Sequence, residues 1–179
     1  MQRQVVDLHQ ELPTVLRYSG FIPHPVARPK GALMYKHILV PTDGSYLSDQ
    51  AITTAAQLAK LCKAKITGLN LIRPYDKPMQ SEGADFLPSA RRYREATEKN
   101  AREALEKVEA RAKAAGVPCT SKFLNADQPW KAIIRVAKSE KCDLIVMASH
   151  GRSGLAGIVI GSETNKVLTH SKIPVLVCR

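Results

Sequence analysis

Long hydrophobic runs, aromatic residues and paired cysteines are all scarce in this sequence of 179 residues. No apolar run approaches the ~20 residues that a helix needs to span a bilayer, so the sequence predicts no membrane segment. Aromatic residues make up only 5% of the chain, too few for the stacking platforms that bind single-stranded nucleic acid. The cysteines form no CxxC pair, which favours reduced, buried thiols in a cytoplasmic protein over a disulfide or zinc framework. They are Cys62, Cys119, Cys142 and Cys178.

Positive charge, by contrast, is abundant: the formal net charge is +11 at pH 7. Such a charge can indicate nucleic acid, an anionic surface or phosphorylated ligands as partners. Many of the basic residues lie between Arg91 and Lys113, where glutamates are interleaved with them at helical spacing. Mixed charges at that spacing are typical of a solvated helix face with i,i+4 ion pairs. We therefore do not predict nucleic acid as the partner.

The first 33 residues differ in composition from the rest of the chain. They contain four prolines and two glycines, and they lack the apolar core of a secretory signal. Two interpretations stay open: residues 1–33 are a flexible N-terminal extension, or the start is misassigned, because Met34 directly precedes the first predicted strand. Residues 34–179 show no internal repeat and are predicted to form one domain.

From residue 34 onward, apolar strand-like segments alternate with amphipathic helical segments. Strict alternation predicts the α/β class, with a Rossmann-like, five-stranded parallel sheet and helices on both faces. Ligands of such folds bind at the carboxyl ends of the strands, near the switch point of the sheet. Ser45 or Ser48 is predicted to cap the first helix, and Asp127 the third. The predicted strands are 37–42, 65–72, 118–124, 144–147 and 173–178, and the first, second and last helices are 47–63, 88–115 and 163–170.

A glycine-rich segment follows the fourth predicted strand, and Ser162 is predicted to cap the helix after it. A strand, a glycine-rich loop and a helix N-terminus together form a common phosphate site, because backbone amides can approach the anion there. The glycines could instead serve only the turns of a loop, and this pattern alone leaves both interpretations open. The segment has neither the GxxxxGK[ST] spacing of a Walker A loop nor the GxGxxG fingerprint after the first strand that dinucleotide-binding proteins carry.

Nine residues separate Gly151 from Gly161, and Ser162 follows. With HILVPTDGS in the first strand, DLIVMASHGRSG in the fourth and GSETNKVLTHSKIPVLV at the end, this spacing resembles the universal stress protein family. The resemblance covers about residues 34–179 and implies an adenine nucleotide alpha hydrolase-like fold. Ala148 departs from it, because the family pattern has its first glycine there. A methyl group costs about 1 kcal/mol if that position needs a positive φ, and little if it needs only a small side chain.

The resemblance implies a homodimeric, ATP- or AMP-binding regulatory protein of the stress response, and it leaves open whether Mg²⁺ accompanies the nucleotide. Carried over by position, the base and ribose would lie against Pro41, Thr42, Asp43, Leu71 and Met147. The phosphates would be held by the Ser162 hydroxyl and by the backbone amides of Ala148, Gly151, Gly161 and Ser162. His150 and Arg152 would lie in the same nucleotide-binding loop, where Arg152 could pair with a phosphate. The protomers would pair through the last strand, which would otherwise be an exposed apolar edge; its residues are Val175, Leu176 and Val177.

Three of these residues have an alternative interpretation. Asp43 could cap the first helix, Arg152 could be a solvated loop charge, and His150, for which the sequence shows no partner nucleophile, is better interpreted as structural. No catalytic residue or metal site is predicted, because phosphoryl transfer needs a positioned metal and Asp43 has no second acid beside it. The alternatives at the level of function are a nucleotide-free dimeric interaction module and a slow ATP hydrolase. No membrane partner is predicted, and no regulatory protein partner can be named.

Overall fold

The computed structural model describes residues 34–75, 90–150 and 160–179. They form one sheet of five parallel strands in the order β3-β2-β1-β4-β5, with a helix between successive strands. The predicted α/β architecture is therefore confirmed. The strands are β1 (His37–Pro41), β2 (Lys65–Ile72), β3 (Cys119–Asn125), β4 (Leu144–Ala148) and β5 (Val175–Cys178). The helices are α1 (Tyr46–Cys62), α2 (Ala90–Ala115), α3 (Pro129–Ser139) and α4 (Ser162–His170).

The central strands are buried on both faces, because alternate residues of a strand point to opposite sides of the sheet. In β1, Ile38 and Val40 belong to a core that includes residues of α1 and α2. Leu39 belongs to a second core with residues of α3 and α4. All three side chains are fully buried. This two-sided burial explains why the strand segments are unbroken apolar runs in the sequence. None of the described helices is both long and apolar enough to cross a membrane.

The starts of α1 and α3 test the capping predictions. Ser45 is the N-cap of α1, and its hydroxyl oxygen accepts a hydrogen bond from the Ser48 amide at 3.3 Å. The prediction that Asp127 caps α3 is wrong: the N-cap is Gln128, whose carbonyl accepts the first bond of the helix from Ala132 N at 3.2 Å. Pro129 at the first turn explains the shift, because the residue before a proline is pushed out of the helical region.

Strand β5 begins at Val175, two residues later than predicted. The Ser171 hydroxyl accepts a hydrogen bond from Ile173 N at 3.0 Å and donates one to Ile173 O at 2.8 Å, which holds Ile173 in a turn. Pairing with β4 starts after that turn, when Ile145 N donates to Pro174 O at 2.9 Å.

Three of the four cysteines are buried, as predicted, but Cys119 is only half-buried. It lies on β3, which is an edge strand of the described sheet. Burial and the nearby Glu109 charge raise the pKa of Cys119 to about 11. Burial, with the Glu140 charge, raises the pKa of Cys142 to about 12. Both thiols are therefore protonated and weakly nucleophilic at neutral pH.

The amino ends of β1 and β4 are joined by Asp143. Its carboxylate accepts hydrogen bonds from the backbone amides of Lys36 and His37 at 2.9–3.1 Å. The His37 side chain is buried beside this contact, with Nε2 hydrogen-bonded to Thr67 Oγ1 at 2.8 Å. Burial, and secondarily the Lys65 charge, lowers the pKa of His37. The imidazole is therefore held in its neutral form.

Candidate functional site

The switch point of the sheet lies between β1 and β4. The chain passes from β1 to β2 and β3 on one side, and then returns to β4 on the other side of β1. Because β1 and β4 are parallel neighbours, Asp43 after β1 and Ser149 after β4 leave the sheet at the same edge. The turn after β1 and the start of the glycine-rich segment therefore lie at the same edge of the sheet. Gly151 and Arg152 lie outside the described residues.

The turn after β1 is organised by its own side chains. Asp43 Oδ1 accepts hydrogen bonds from Ser45 N at 3.0 Å and from Ser48 Oγ at 2.6 Å. Thr42 Oγ1 accepts one from Gly44 N at 3.1 Å, and Gly44 has a φ of 80°, which favours glycine. One carboxylate oxygen of Asp43 therefore takes part in starting α1, in line with the alternative interpretation of this residue. A role of Asp43 in ligand contact stays a prediction.

Asn70 fixes the end of β1 against β2, a role that the sequence did not suggest. Its side-chain amide donates to Thr42 O at 2.8 Å, and Thr42 N donates to Leu69 O at 2.9 Å. Both Thr42 and Asn70 are buried. The available signal was an amide side chain between two leucines of a strand, since a buried amide needs hydrogen-bond partners.

Ala148 has the conformation of a strand residue. It pairs with Cys178, and the only non-glycine residues with positive φ in the described chain are Lys63 and Lys141. Its methyl group belongs to the core on the α1 side of the sheet. Thr164 Oγ1 donates to Ala148 O at 3.0 Å, which connects the end of β4 to the first turn of α4. A methyl group at this position therefore carries no left-handed backbone strain.

Gly161 is the N-cap of α4, so the prediction that Ser162 is the cap is wrong. The Gly161 carbonyl accepts the first helical bond from Asn165 N at 2.9 Å, and Ser162 is already helical. The Gly161 amide was predicted to hold phosphate. In this structure it donates instead to Ser149 O at 2.8 Å. A Cβ on Gly161 would lie 3.1 Å from Ser149 O, closer than side chains normally approach. Glycine thus allows the start of α4 to lie directly against the end of β4.

The remaining described candidates lie around this edge. His150 is half-buried, and its Nδ1 is hydrogen-bonded to Ser149 Oγ at 3.2 Å. Met147 is buried in the core beneath α3 and α4, and Leu71 packs partly buried against the same core. Pro41 is also half-buried. The ligand contacts predicted for these four residues stay predictions. Within the described ranges, no group of three or more His, Cys, Asp or Glu side chains is arranged to hold a metal ion.

Comparison with known proteins agrees with this architecture. The family model for universal stress proteins matches residues 34–179. A universal stress protein of Methanocaldococcus jannaschii is 33% identical over 151 residues, covering 83% of this chain and 85% of the relative. One of Thermus aquaticus is 33% identical over 147 residues, covering 82% of this chain and 100% of the relative. A solved universal stress protein in complex with cAMP has a TM-score of 0.57 and 28% identity, over 80% of this chain and 95% of its own. The chain therefore belongs to the universal stress protein family.

Proposed function

We propose that this chain binds an adenine nucleotide at the carboxyl edge of the sheet, between the ends of β1 and β4, and acts as a regulatory protein of the stress response. The observation that carries the proposal is the direct approach of the α4 N-terminus to the end of β4, at a distance that a Cβ at position 161 would crowd. The cAMP complex of a family member 28% identical to this chain supports adenosine and phosphate as the ligand's chemistry.

The phosphates are proposed to lie at the first turn of α4. The first amides of a helix lack intrahelical partners, and the helix dipole favours an anion there. Ser162 is exposed at this point, so its amide and hydroxyl are the proposed contacts, together with Gly151 and Arg152. Glu163, the only acid in that turn, accepts a hydrogen bond from Trp130 N at 2.9 Å, so this carboxylate oxygen is engaged with α3.

The base and ribose are proposed to lie over the ends of β1 and β2. Pro41, Thr42 and Asp43 would line this part of the site, and the Asn70–Thr42 hydrogen bond holds that backbone in place. Leu71 and Met147 would supply apolar contact from the α3 side of the sheet. The Ala148 methyl group faces the opposite core and leaves this space clear.

ATP or AMP is the nucleotide that we propose, because both share the adenosine and phosphate of cAMP. Mg²⁺, if ATP carries it, would be held mainly by the phosphates, since Asp43 is the one acid of the β1 turn.

Slow ATP hydrolysis is the alternative activity, and ADP formation over time would distinguish it from binding alone. A nucleotide-free interaction module is the other alternative. The sequence feature that favours this alternative is Ala148 in place of the family's glycine, but its methyl group lies in the core on the α1 side of the sheet.

A homodimer through β5 is the proposed assembly. Among the described strands β5 pairs only with β4, and Val175, Leu176 and Val177 are each half-buried. Such an apolar edge favours pairing with another strand.

We also propose that residues 34–179 act as one domain and that the protein works in the cytoplasm, where its free cysteines would stay reduced.

Titration of ATP into Gly161→Arg and Gly161→Ala tests the site. Both variants carry the crowded Cβ, so their difference isolates the bulk of the arginine beside the phosphates. We expect affinity at least about tenfold weaker for Gly161→Arg than for Gly161→Ala, or roughly 1.4 kcal/mol. Asp43→Ala, which removes a carboxylate that also starts α1, should weaken binding in a protein that still folds. Equal ATP affinity in Gly161→Arg and Gly161→Ala would refute the proposed site.

A further inference from the structure

A shallow, open groove of about 620 Å³ lies on the outer surface of α3 and α4. We call it the α3 groove; none of its lining residues belongs to the candidate nucleotide site. One wall is formed by the rings of Trp130 and His170, whose centroids are 4.6 Å apart. Ile134, which is 8% exposed, contributes an apolar surface between the helices. The groove therefore combines a ring wall with an apolar floor.

Three exposed cations border the α3 groove: Lys131, Arg135 and Lys138. Their spacing of four and three residues places them on one face of α3. The Lys131 ammonium lies 5.3 Å from the centre of the Trp130 ring. Within the described ranges, none of the three forms an ion pair, and no acidic residue lines the groove.

Helix α2 shows what a solvated charged face looks like in the same molecule. There Arg91 pairs with Glu95, Lys99 with Glu103, and Arg102 with Glu98. The exposed cations of α3 have no such internal counterions, so their charge is available to a partner. Because the charge has one sign and borders a concave apolar surface, the complementary partner is an acidic one.

We infer that the α3 groove binds an acidic, extended peptide segment of a partner protein. Alternate side chains of an extended peptide point to one side, about 6.7 Å apart. Lys131 and Arg135 are separated by about 6 Å along the helix axis, and Arg135 and Lys138 by about 4.5 Å. Alternate carboxylates of the peptide would thus match the spacing of Lys131 and Arg135, and the long, flexible side chain of Lys138 can reach the next carboxylate. The Arg135 guanidinium can bind its carboxylate in a bidentate manner. Apolar peptide side chains would contact Ile134 and the edge of Trp130.

A nucleic acid fits this groove less well. Proteins that depend on phosphate contacts typically use about six to ten of them, whereas the α3 groove offers three cations. The Trp130 ring packs against His170 and lies beneath Lys131, so it does not present an open face for a base. The inference does not depend on nucleotide binding, although the Trp130 amide contacts Glu163 in the first turn of α4.

Trp130 is the only tryptophan in the chain and is therefore a built-in reporter of the α3 groove. The probe is an acetylated hexaglutamate peptide, titrated into the full chain at low salt while tryptophan emission is recorded; hexalysine is the opposite-charge control. We expect a saturable change in emission with hexaglutamate and none with hexalysine. The double variant Arg135→Glu/Lys138→Glu should raise the apparent Kd about tenfold or more.

The matched control is Arg111→Glu/Lys113→Glu, which makes the same change in net charge on the exposed face of α2. It should leave the apparent Kd within about twofold of wild type, because these residues lie outside the α3 groove. Equal weakening in both double variants would mean that only net charge matters, and would overturn the inference. No saturable emission change, or tighter binding of oligothymidylate than of hexaglutamate through Arg135 and Lys138, would also overturn it.

Discussion

The methyl group of Ala148 packs in the core on the α1 side, beside Val146 and Cys178. Replacing it by glycine removes one buried methyl, worth about 0.8 kcal/mol, and adds the cost of glycine in a strand, about 0.5–1 kcal/mol. We expect Ala148→Gly to lower the free energy of unfolding by about 1.5 kcal/mol in denaturant titration. ATP affinity should be unchanged, because the methyl faces away from the proposed site. A tenfold gain in affinity would show that the methyl obstructs the nucleotide.

His37 makes stability depend on pH. Its pKa is lowered from the ordinary value of 6.5 by burial and, to a smaller extent, by Lys65. A base with a lowered pKa in the folded state stabilises the fold fully above pH 6.5, and this stability is lost as pH falls below 6.5 and through the lowered pKa of the folded state. We expect the melting temperature to fall between pH 7 and pH 5, and to fall less in His37→Gln. Identical pH profiles for the two proteins would contradict the buried neutral imidazole.

Residue roles were predictable where they follow from local spacing. The role of Asp43 in starting α1 could be predicted because it is defined within a few residues of sequence. The role of Gly161 as the cap of α4 could not, because it depends on close contact with Ser149 at the end of β4. The contacts of Asn70 with Thr42 and of Thr164 with Ala148 cross between elements, over 28 and 16 residues, and only the folded sheet brings them together. Such contacts need the register of the sheet, which composition and periodicity do not supply.

Among the elements, β5 has the open edge at which the proposed homodimer would form. Ile145 N donates to Pro174 O, and Ser149 N donates to Cys178 O, so the even-numbered residues of β5 face β4. In a parallel ladder the residues between them direct their backbone groups to the other side. The N–H of Val177 therefore faces the open edge, where the proposed partner strand would bind.

Val177→Pro removes that outward donor without removing a bond to β4. An edge strand tolerates proline at such a position. We expect the variant to fold and to sediment as a monomer at micromolar concentration, and the wild type to sediment as a dimer at the same concentration. The matched control, Leu176→Pro, removes a donor directed at β4 and should lower the melting temperature more strongly. A Val177→Pro variant that remains dimeric would contradict pairing through β5.

All nine described elements were predicted from periodicity, and the errors lie at their ends. The start of α3 moved because Pro129 forces the preceding residue out of the helix. The start of β5 moved because Ser171 holds Ile173 in a turn. The start of α4 moved because close contact with Ser149 makes Gly161 the cap. Hydrophobic patterns show which face is buried, but these ends depend on single hydrogen bonds.

Across the whole molecule, the net charge of +11 is spread over helix surfaces that differ in how their charges are paired. Helix α2 carries paired charges of both signs, as its sequence predicted. Helix α3 carries Lys131, Arg135 and Lys138 without counterions among the described residues, beside a groove that requires α4 to form. The four- and three-residue spacing was visible in the sequence, but the concave wall made by Trp130 and His170 was not.

Native mass spectrometry of the purified protein with added ATP is the sharpest test of nucleotide binding at α4, because it reports bound nucleotide and assembly together. We expect a species with the mass of two chains and two adenine nucleotides, and a Gly161→Arg variant that remains a dimer without nucleotide. A wild-type protein that shows no bound adenine nucleotide at saturating ATP would contradict the proposed function.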